Sequence, residues 1–541
     1  MQELAFNSHR SPVFSRRGIV AASQPLAVQA GLEILAGGGN AADAAVATAA
    51  ALNVTEPTST GIGGDCFALF YRAADQQILA LNGSGRAPGK LSLALLASQG
   101  FDTELPPYHA HTITVPGACA GWCDLVERLG SRSMPEVLAP AMRLAEGGFP
   151  VAPITAHSWA RGAEKQLAEA PGGQQLTIDG RAPRAGEIFR NPGLARTLQA
   201  VAQGGKEAFY QGPIAEAIVQ VVQGAGGVLS QRDLAAHQST WDTPISTTYH
   251  DLRIWECPPN GQGLVALLAL NILRGFDLAA LPPLGPDRLH LILEALRLAF
   301  ADGQRYIADP SFSQIPLQQL LSEDYALERR KEIDPHKAKL DHRAGALPAG
   351  QDTVYLSVVD EQGNACSFIN SNYMGFGTGI VPDGWGFSLQ NRGHNFSLDP
   401  EHANALEPNK RPYHTIIPAM ATNLDGSLHA SFGVMGGFMQ PQGHTQVVLA
   451  LEDDGLDPQA ALDRPRVCLV DGHPASEAAI EDGIPAETLQ ALAELGHIVE
   501  HVSGHARAVF GRGQIILRDP ASGVLQAGSD PRADGCAAGL V

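Results

Sequence analysis

"PAGQDTVYLSVVDEQGNA", residues 348–365, decides how this chain is read. A Pro/Gly loop ends at Asp352. A strict alternation then begins with Thr353, with Val354, Leu356 and Val358 on one face and Tyr355, Ser357 and Val359 on the other. Period two over this length predicts a strand. "DEQGNA" (360–365) predicts the turn of a hairpin, with Gln362 and Gly363 at its tip, so the strand 365–372 returns alongside. Residues near 371 and 372, Ser371 and Asn372, then approach Thr353. Two readings follow for a hydroxyl at the start of this strand. Thr is simply at home in strands. Alternatively the chain is cut between Asp352 and Thr353. A new α-amine, with a pKa of about 7.7–8.0, then lies within reach of the hydroxyl and can take its proton, which turns a weak nucleophile into a working one.

Further along, "FGVMGGFMQPQGH" (432–444) places two glycines after a strand. Consecutive backbone N–H groups in such a turn suit an oxyanion hole, although an ordinary glycine turn reads the same way. "GIGGD" (61–65) and "GAGG" (224–227) lack the spacing of a dinucleotide site, and neither GxSxG nor HExxH occurs. His109 and His111, in "PPYHAHTITVPG", form an HxH pair. With an aspartate such as Asp302 they make the zinc amidohydrolase alternative.

The chain has 541 residues, 44% of them hydrophobic, and a net charge of −19. That charge disfavours nucleic acid and anionic membranes as partners, and an anionic substrate would need its own Arg or Lys. The seven cysteines are an odd number without metal-like clustering, which reads as reduced thiols and a cytoplasmic location. The N-terminal run after Arg16 and Arg17 is broken by Ser23, Gln24 and Gln29 and does not read as a signal peptide.

Pro25 opens an expected helix over 25–36, and Asn40 caps a second, alanine-rich one over 41–53. Residues 116–170 and 187–222 read as mainly helical, and 294–310 as an amphipathic helix. After 353, strands are expected at 353–360, 365–372, 416–423 and 428–434, with helices at 442–452 and 485–495. Strand blocks flanked by helix blocks predict an α/β fold with an αββα layering.

The motifs also carry a resemblance. "PLAVQAGLEILAGGGNAADAAVATAAALNVTEPTSTGIGGD", "VPGACAGW", "CPPNGQG", "EALRLAFADGQRYIADP", "DTVYLSVVDEQGNA", "GFGTGI", "EPNKRPYHTIIPAM" and "MGG" occur in the order and spacing of the γ-glutamyltranspeptidase family. Its members are N-terminal nucleophile hydrolases made as self-cleaving proenzymes. The resemblance implies a four-layer αββα sandwich and a cut between Asp352 and Thr353. It leaves a large subunit 1–352 and a small subunit 353–541 that together form one compact domain. It implies Thr353 as nucleophile, Ser371 as the hydroxyl that holds its amine, and Gly436 and Gly437 as the oxyanion hole. No metal or organic cofactor is implied. The expected partners are a small acidic amide and the two cleaved subunits; a homodimer of such heterodimers is an assembly the resemblance allows.

Departures from the family pattern bear on the substrate. The family's carboxylate-binding arginine falls at Ser84, which leaves Arg86 as the candidate arginine of that stretch. Groups that hold the substrate's α-amine, a Gln and an Asp, become Arg392 and Asn395. An Asn becomes Tyr373, and a Ser-Ser pair becomes His414-Thr415. The segment 396–407 is shorter than the family's lid region. Loss of an acid and gain of an arginine favour an anion over an ammonium. Two activities stay open on sequence: γ-glutamyl hydrolysis or transfer, as on glutathione, and hydrolysis of another acidic amide, as in oxamate amidohydrolases or glutaryl acylases.

Overall fold

The computed structural model describes residues 10–340 and 352–541. Two seven-stranded sheets lie face to face with helices on both outer sides. Before the junction at 352 come strands β1 (Val13–Ser15), β2 (Gly18–Ala22), β3 (Asp65–Arg72), β4 (Gln77–Gly83), β5 (Thr240–Asp242), β6 (Ile245–Tyr249) and β7 (Leu252–Glu256). From the junction onward come β8 (Asp352–Asp360), β9 (Ala365–Tyr373), β10 (Ala419–Asn423), β11 (Leu428–Met435), β12 (Arg512–Arg518), β13 (Leu525–Ser529) and β14 (Cys536–Gly539). One sheet runs β1-β13-β12-β11-β10-β7-β6 and the other β14-β2-β8-β9-β3-β4-β5. Each sheet therefore draws strands from both sides of residue 352. Helices α1 (Pro25–Ala36) and α2 (Ala41–Thr55) cover the sheet that contains β8, while α3 (Gly263–Leu273) and α5 (Met439–Glu452) cover the other, with α4 (Pro286–Tyr306) packed on α3.

Local chemistry explains the elements that position β8. Asn40 caps α2 by accepting from the Ala42 and Asp43 amides, and Asp43 closes a capping box. Every residue of α2 is buried, and its alanines let it lie close on α1 and on β8 and β9. At the hairpin tip Gly363 has φ +83°, a conformation glycine adopts without strain. The Asp360 carboxylate accepts from the Asn364 amide at 2.9 Å and the Ala41 amide at 3.0 Å, tying the hairpin to the start of α2.

The alternation along β8 sets which way Thr353 points. Tyr355 and Ser357 face the second sheet: the Ser357 hydroxyl donates to Ser431 Oγ at 2.6 Å, and the Tyr355 ring lies where a Cβ on Gly433 would be, 2.5 Å from a ring carbon. Thr353, two residues earlier, shares that face, so its side chain enters the layer between the sheets. Val354, Leu356 and Val358 join the core with the alanines of α2.

Two expected boundaries shift. The helix expected from 294 begins at Pro286, where proline opens the first turn, and ends at Tyr306, four residues before Pro310. The helix expected from 442 begins at Met439. All seven cysteines are free thiols, and among the described residues no helix is long and apolar enough to cross a membrane.

Candidate active site

Thr353 is 1% exposed, at an irregularity in the β8–β9 ladder between Asp352 and Val354. Its hydroxyl donates to Ser371 Oγ at 3.1 Å, and the Gln440 side-chain amide donates to Thr353 Oγ1 at 3.4 Å. Gln440 stands in the first turn of α5, braced by the Ile417 amide that donates to its Oε1 at 2.9 Å. Asn372 turns away and donates to Ser388 Oγ, so Ser371 is the partner of the two residues expected near Thr353. Most of the loop in which the expected cut falls, 341–351, lies outside the described residues, as does the Asp352 side chain.

Gly436 and Gly437 form the turn between β11 and α5, with φ of +136° and +59°. Their carbonyls accept from the Met439 and Gln440 amides, which starts the helix. Their own N–H groups are donated to no acceptor among the described residues. The turn is held from behind by Gln262, whose amide donates to Gly437 O at 2.8 Å and to Thr415 O at 2.6 Å. A side chain at Gly436 would meet Gly511 Cα at 3.1 Å, besides taking a φ that L residues rarely adopt. Two N–H groups without an acceptor among the described residues thus stand at the start of a helix, one turn from a residue that touches Thr353.

Arg392, on a 3₁₀ turn over Arg392–Asn395, is fully buried beside this cluster. It donates to Thr415 Oγ1 at 2.6 Å and Ser371 Oγ at 3.3 Å, and its guanidinium lies 4.3 Å over the Tyr373 ring. Tyr373 adopts φ +82° at the end of β9, an uncommon conformation for an aromatic residue, and this sets its ring under the arginine. No described carboxylate lies within ion-pairing distance of Arg392, and its Nε has no partner among the described residues. Burial lowers its pKa to about 10, with Asp65 acting in the opposite direction, so it stays charged at neutral pH.

Asp65 lies one layer further back. It accepts from the Gly85 and Gly117 amides at 3.0 Å, from the Gln390 side chain at 2.9 Å and from His414 Nε2 at 3.0 Å. Burial, then the charge of Arg392, pushes the His414 pKa down to about 3, so the imidazole is neutral. Asn395 donates to Tyr413 O at 3.1 Å and is braced by Asn404 of the short 396–407 loop, while its own Oδ1 is buried without a partner.

The structure thus gathers Thr353, Ser371, Tyr373, Arg392, Thr415, Gly436 and Gly437, with Asn395 and His414 packed around them. Arg86 stands apart. It has no hydrogen bond to this cluster and lines a separate cavity of about 940 Å³. Ser84 points inward, and its hydroxyl donates to Asn82 Oδ1 at 2.7 Å. The zinc alternative is corrected. His111 Nε2 pairs with Gln99 at 2.7 Å, while Asp302 is bound by Arg329 and Tyr325, so the three do not converge. One other trio of ligand types, His290, Glu294 and His497, lies together among the described residues. Its histidines bond each other at 2.8 Å, and the Arg297 guanidinium stands 3.5 Å from Glu294, so a cation already occupies that place.

Sequence reasoning missed Asp65, Gln262, Asn404 and Gln440. Asp65 closes the "GIGGD" motif, and Gln440 follows the glycine pair by three residues, so each had a signal. Gln262 and Asn404 are plain amides in loops and had none.

The two layered sheets and the strand that carries Thr353 into the space between them define an N-terminal nucleophile hydrolase fold. The sequence profile described as "Gamma-glutamyltranspeptidase" matches residues 27–540, and the chain belongs to the γ-glutamyltranspeptidase family. It is 36% identical to a "Glutathione hydrolase-like YwrD proenzyme" of Bacillus subtilis, covering 98% of this chain and 99% of that protein. It is likewise 36% identical to an "Oxamate amidohydrolase proenzyme" of Klebsiella pneumoniae, covering 98% and 100%. The solved structure of a cephalosporin acylase from Bacillus halodurans superposes with a TM-score of 0.92 at 46% identity, covering 100% of this chain and 99% of that one. The chain is accordingly a proenzyme-type hydrolase acting on amide bonds of small molecules.

Proposed function

We propose that the chain cuts itself between Asp352 and Thr353 and then works as an N-terminal-threonine amidohydrolase on acidic amides other than glutathione. In this mechanism the Thr353 hydroxyl attacks the amide carbonyl and its proton passes to the free α-amine of the same residue. The oxyanion is held by the N–H groups of Gly436 and Gly437. The C–N bond breaks, the departing amine takes the proton, and an ester to Thr353 remains. Water then attacks that ester with the α-amine again as base, releasing the acid and restoring Thr353.

One observation carries the choice of substrate: Arg392 is a buried guanidinium beside Thr353 whose partners among the described residues are neutral. A buried charge without an ion pair is costly, even with Asp65 acting from a distance, and a substrate carboxylate placed there relieves that cost. The α-ammonium of a γ-glutamyl group in the same place would face a like charge. The names of the oxamate amidohydrolase and cephalosporin acylase relatives fit an acyl-amide reading.

The test is a screen of the purified, processed protein against oxamate, glutaryl amides and glutathione. Release of ammonia or amine from the acidic amides, with little thiol released from glutathione, is the expected result. Preference for glutathione overturns the substrate assignment and leaves the family's usual activity. Processing is tested separately. Wild type should run as two fragments on a denaturing gel, the smaller beginning Thr-Val-Tyr-Leu, and Thr353→Ala should remain one chain without activity. An uncut wild type that is fully active sinks the mechanism.

A further inference from the structure

Three residues after the glycine pair, Gln440 sits fully buried in the first turn of α5. Its carboxamide is fixed from one end, where Oε1 accepts from the Ile417 amide at 2.9 Å. An amide N–H can only donate, so the oxygen must face Ile417 and the NH2 group must face Thr353. Nε2 accordingly donates to Thr353 Oγ1 at 3.4 Å, while Oγ1 gives its own proton to Ser371 Oγ at 3.1 Å. The nucleophilic oxygen is thus held between an acceptor and a donor. The acceptor suits a hydroxyl that is about to lose its proton. The donor calls for a different reason, because a hydrogen bond to a lone pair of Oγ1 makes that oxygen a weaker nucleophile.

In each turnover Oγ1 attacks once and leaves once. In the second half, water adds to the ester and gives its proton to the α-amine of Thr353. The C–Oγ1 bond then breaks, its electron pair goes to Oγ1, and the α-ammonium returns the proton there. An ester oxygen is a poor acceptor and a departing alkoxide a strong one. A donor on Oγ1 therefore gains strength as the bond breaks, which accelerates this step selectively. The bond that Oε1 accepts from Ile417 polarises the carboxamide and strengthens its N–H. Catalytic hydrogen bonds are often long before reaction and tighten during it, which accommodates the 3.4 Å separation.

We propose that Gln440 is a catalytic residue that holds Thr353 Oγ1 as the leaving group in deacylation. The same atom leaves in self-cleavage. There Oγ1 attacks the Asp352 carbonyl, the C–N bond breaks, the hydroxyl proton ends on the freed amine, and an ester to Asp352 forms. Water then hydrolyses that ester, and Oγ1 departs with the proton that water supplies. Both roles rest on the N-terminal-threonine mechanism proposed above.

Two variants test this. Gln440→Glu keeps an oxygen for the Ile417 amide but removes the N–H donor at neutral pH, and Gln440→Met removes both. N-glutaryl-4-nitroanilide releases 4-nitroaniline on acylation; γ-glutamyl-4-nitroanilide takes its place if the acidic-amide assignment fails, so the two failures stay distinct. In both variants kcat and KM should fall together by about 10–100-fold, with kcat/KM kept within about threefold. A stoichiometric burst of 4-nitroaniline should precede the steady state. A burst in Gln440→Glu, which retains an acceptor for Ile417, is a signature that a merely structural role would not produce. A second readout needs no substrate. Freshly made variant should accumulate full-length chain that hydroxylamine splits at 352–353, because the ester waits there, and the enzyme so released serves for the kinetics. A fall in kcat/KM at constant KM without a burst would make Gln440 an oxyanion donor and overturn the proposal. A full-length chain that resists hydroxylamine would place the block before the ester and overturn it too, as would wild-type kinetics and processing in both variants.

Discussion

Arginine is buried in opposite ways at two places in this molecule. In the core near the C-terminus, Arg532 pairs with Glu481 at 2.6 Å and Asp530 at 2.9 Å, Arg466 pairs with Asp530 at 2.9 Å, and Arg507 pairs with Glu481 at 2.7 Å. Burial alone would lower the Arg532 pKa, but the two carboxylates outweigh it and raise it. Beside Thr353, Arg392 has two hydroxyls and an aromatic face, and burial lowers its pKa to about 10. The first site is complete without a ligand. The second has no carboxylate in contact among the described residues, Asp65 acting only from a layer away, and the proposed substrate anion would supply one. Burial alone does not separate structural from functional arginines; the partner list does.

The contrast can be broken first at the paired site. Arg532→Ala removes the cation that two buried carboxylates share, leaving each with one arginine, and should cost about 3–5 kcal/mol of stability, read as a lower denaturation midpoint. The folded fraction should keep its substrate preference; a changed preference would put Arg532 in the site and end the distinction. A substitution between turnover and choice comes next. Gly437→Val removes the geometry of an oxyanion donor and should lower kcat by about 10²–10³ while KM changes little. A rise in KM with kcat intact would mean that the glycine pair binds rather than catalyses.

Arg392→Gln sharpens the comparison directly. It should lower kcat/KM on the preferred acidic amide by roughly 10–100-fold, the value of one to two charge-assisted hydrogen bonds. It should leave stability nearly unchanged or raise it, because it removes a buried charge without an ion pair. A loss of stability like that at Arg532 would show that Arg392 is structural. The smallest effect is in pH. The proposed base is an α-amine that must be neutral, so kcat/KM should rise with pH and level off above about 8. His414, with its pKa near 3, stays neutral throughout and adds no second limb. A limb near pH 6.5 would point to a histidine base instead.

Much of this was readable in the chain, and the limits are physical. The β8–β9 hairpin was legible because strict alternation and a glycine turn admit one register family, and Ser371 fell beside Thr353 as expected. Strands β6, β7, β12 and β13 were not. Three of them have five residues each, and β13 carries Gly528, where a Cβ would stand 2.7 Å from the Gln459 amide. Close backbone approach there demanded a residue of low strand propensity, so packing overrode the local signal. Arg392 was legible as a charge change but not as an unpaired one, since pairing depends on contacts far apart in sequence. Arg86 seemed to belong to the catalytic cluster because it lies two residues from the family's position. In a chain running past Ser84, those two residues carry it into the neighbouring cavity.

The interleaving of the sheets has a consequence for the mature enzyme. On cleavage at 352, the ladders β1–β13, β10–β7, β14–β2, β2–β8 and β9–β3 would each join one fragment to the other. Strand β2 of the large fragment is threaded between two strands of the small one. The fragments would then be a single folding unit in two pieces rather than a pair that met in solution. Such a complex does not come apart on dilution the way an encounter dimer does, because separation requires both sheets to open. Its lifetime is set by the global unfolding rate, and fragments once parted would regain activity only by folding together.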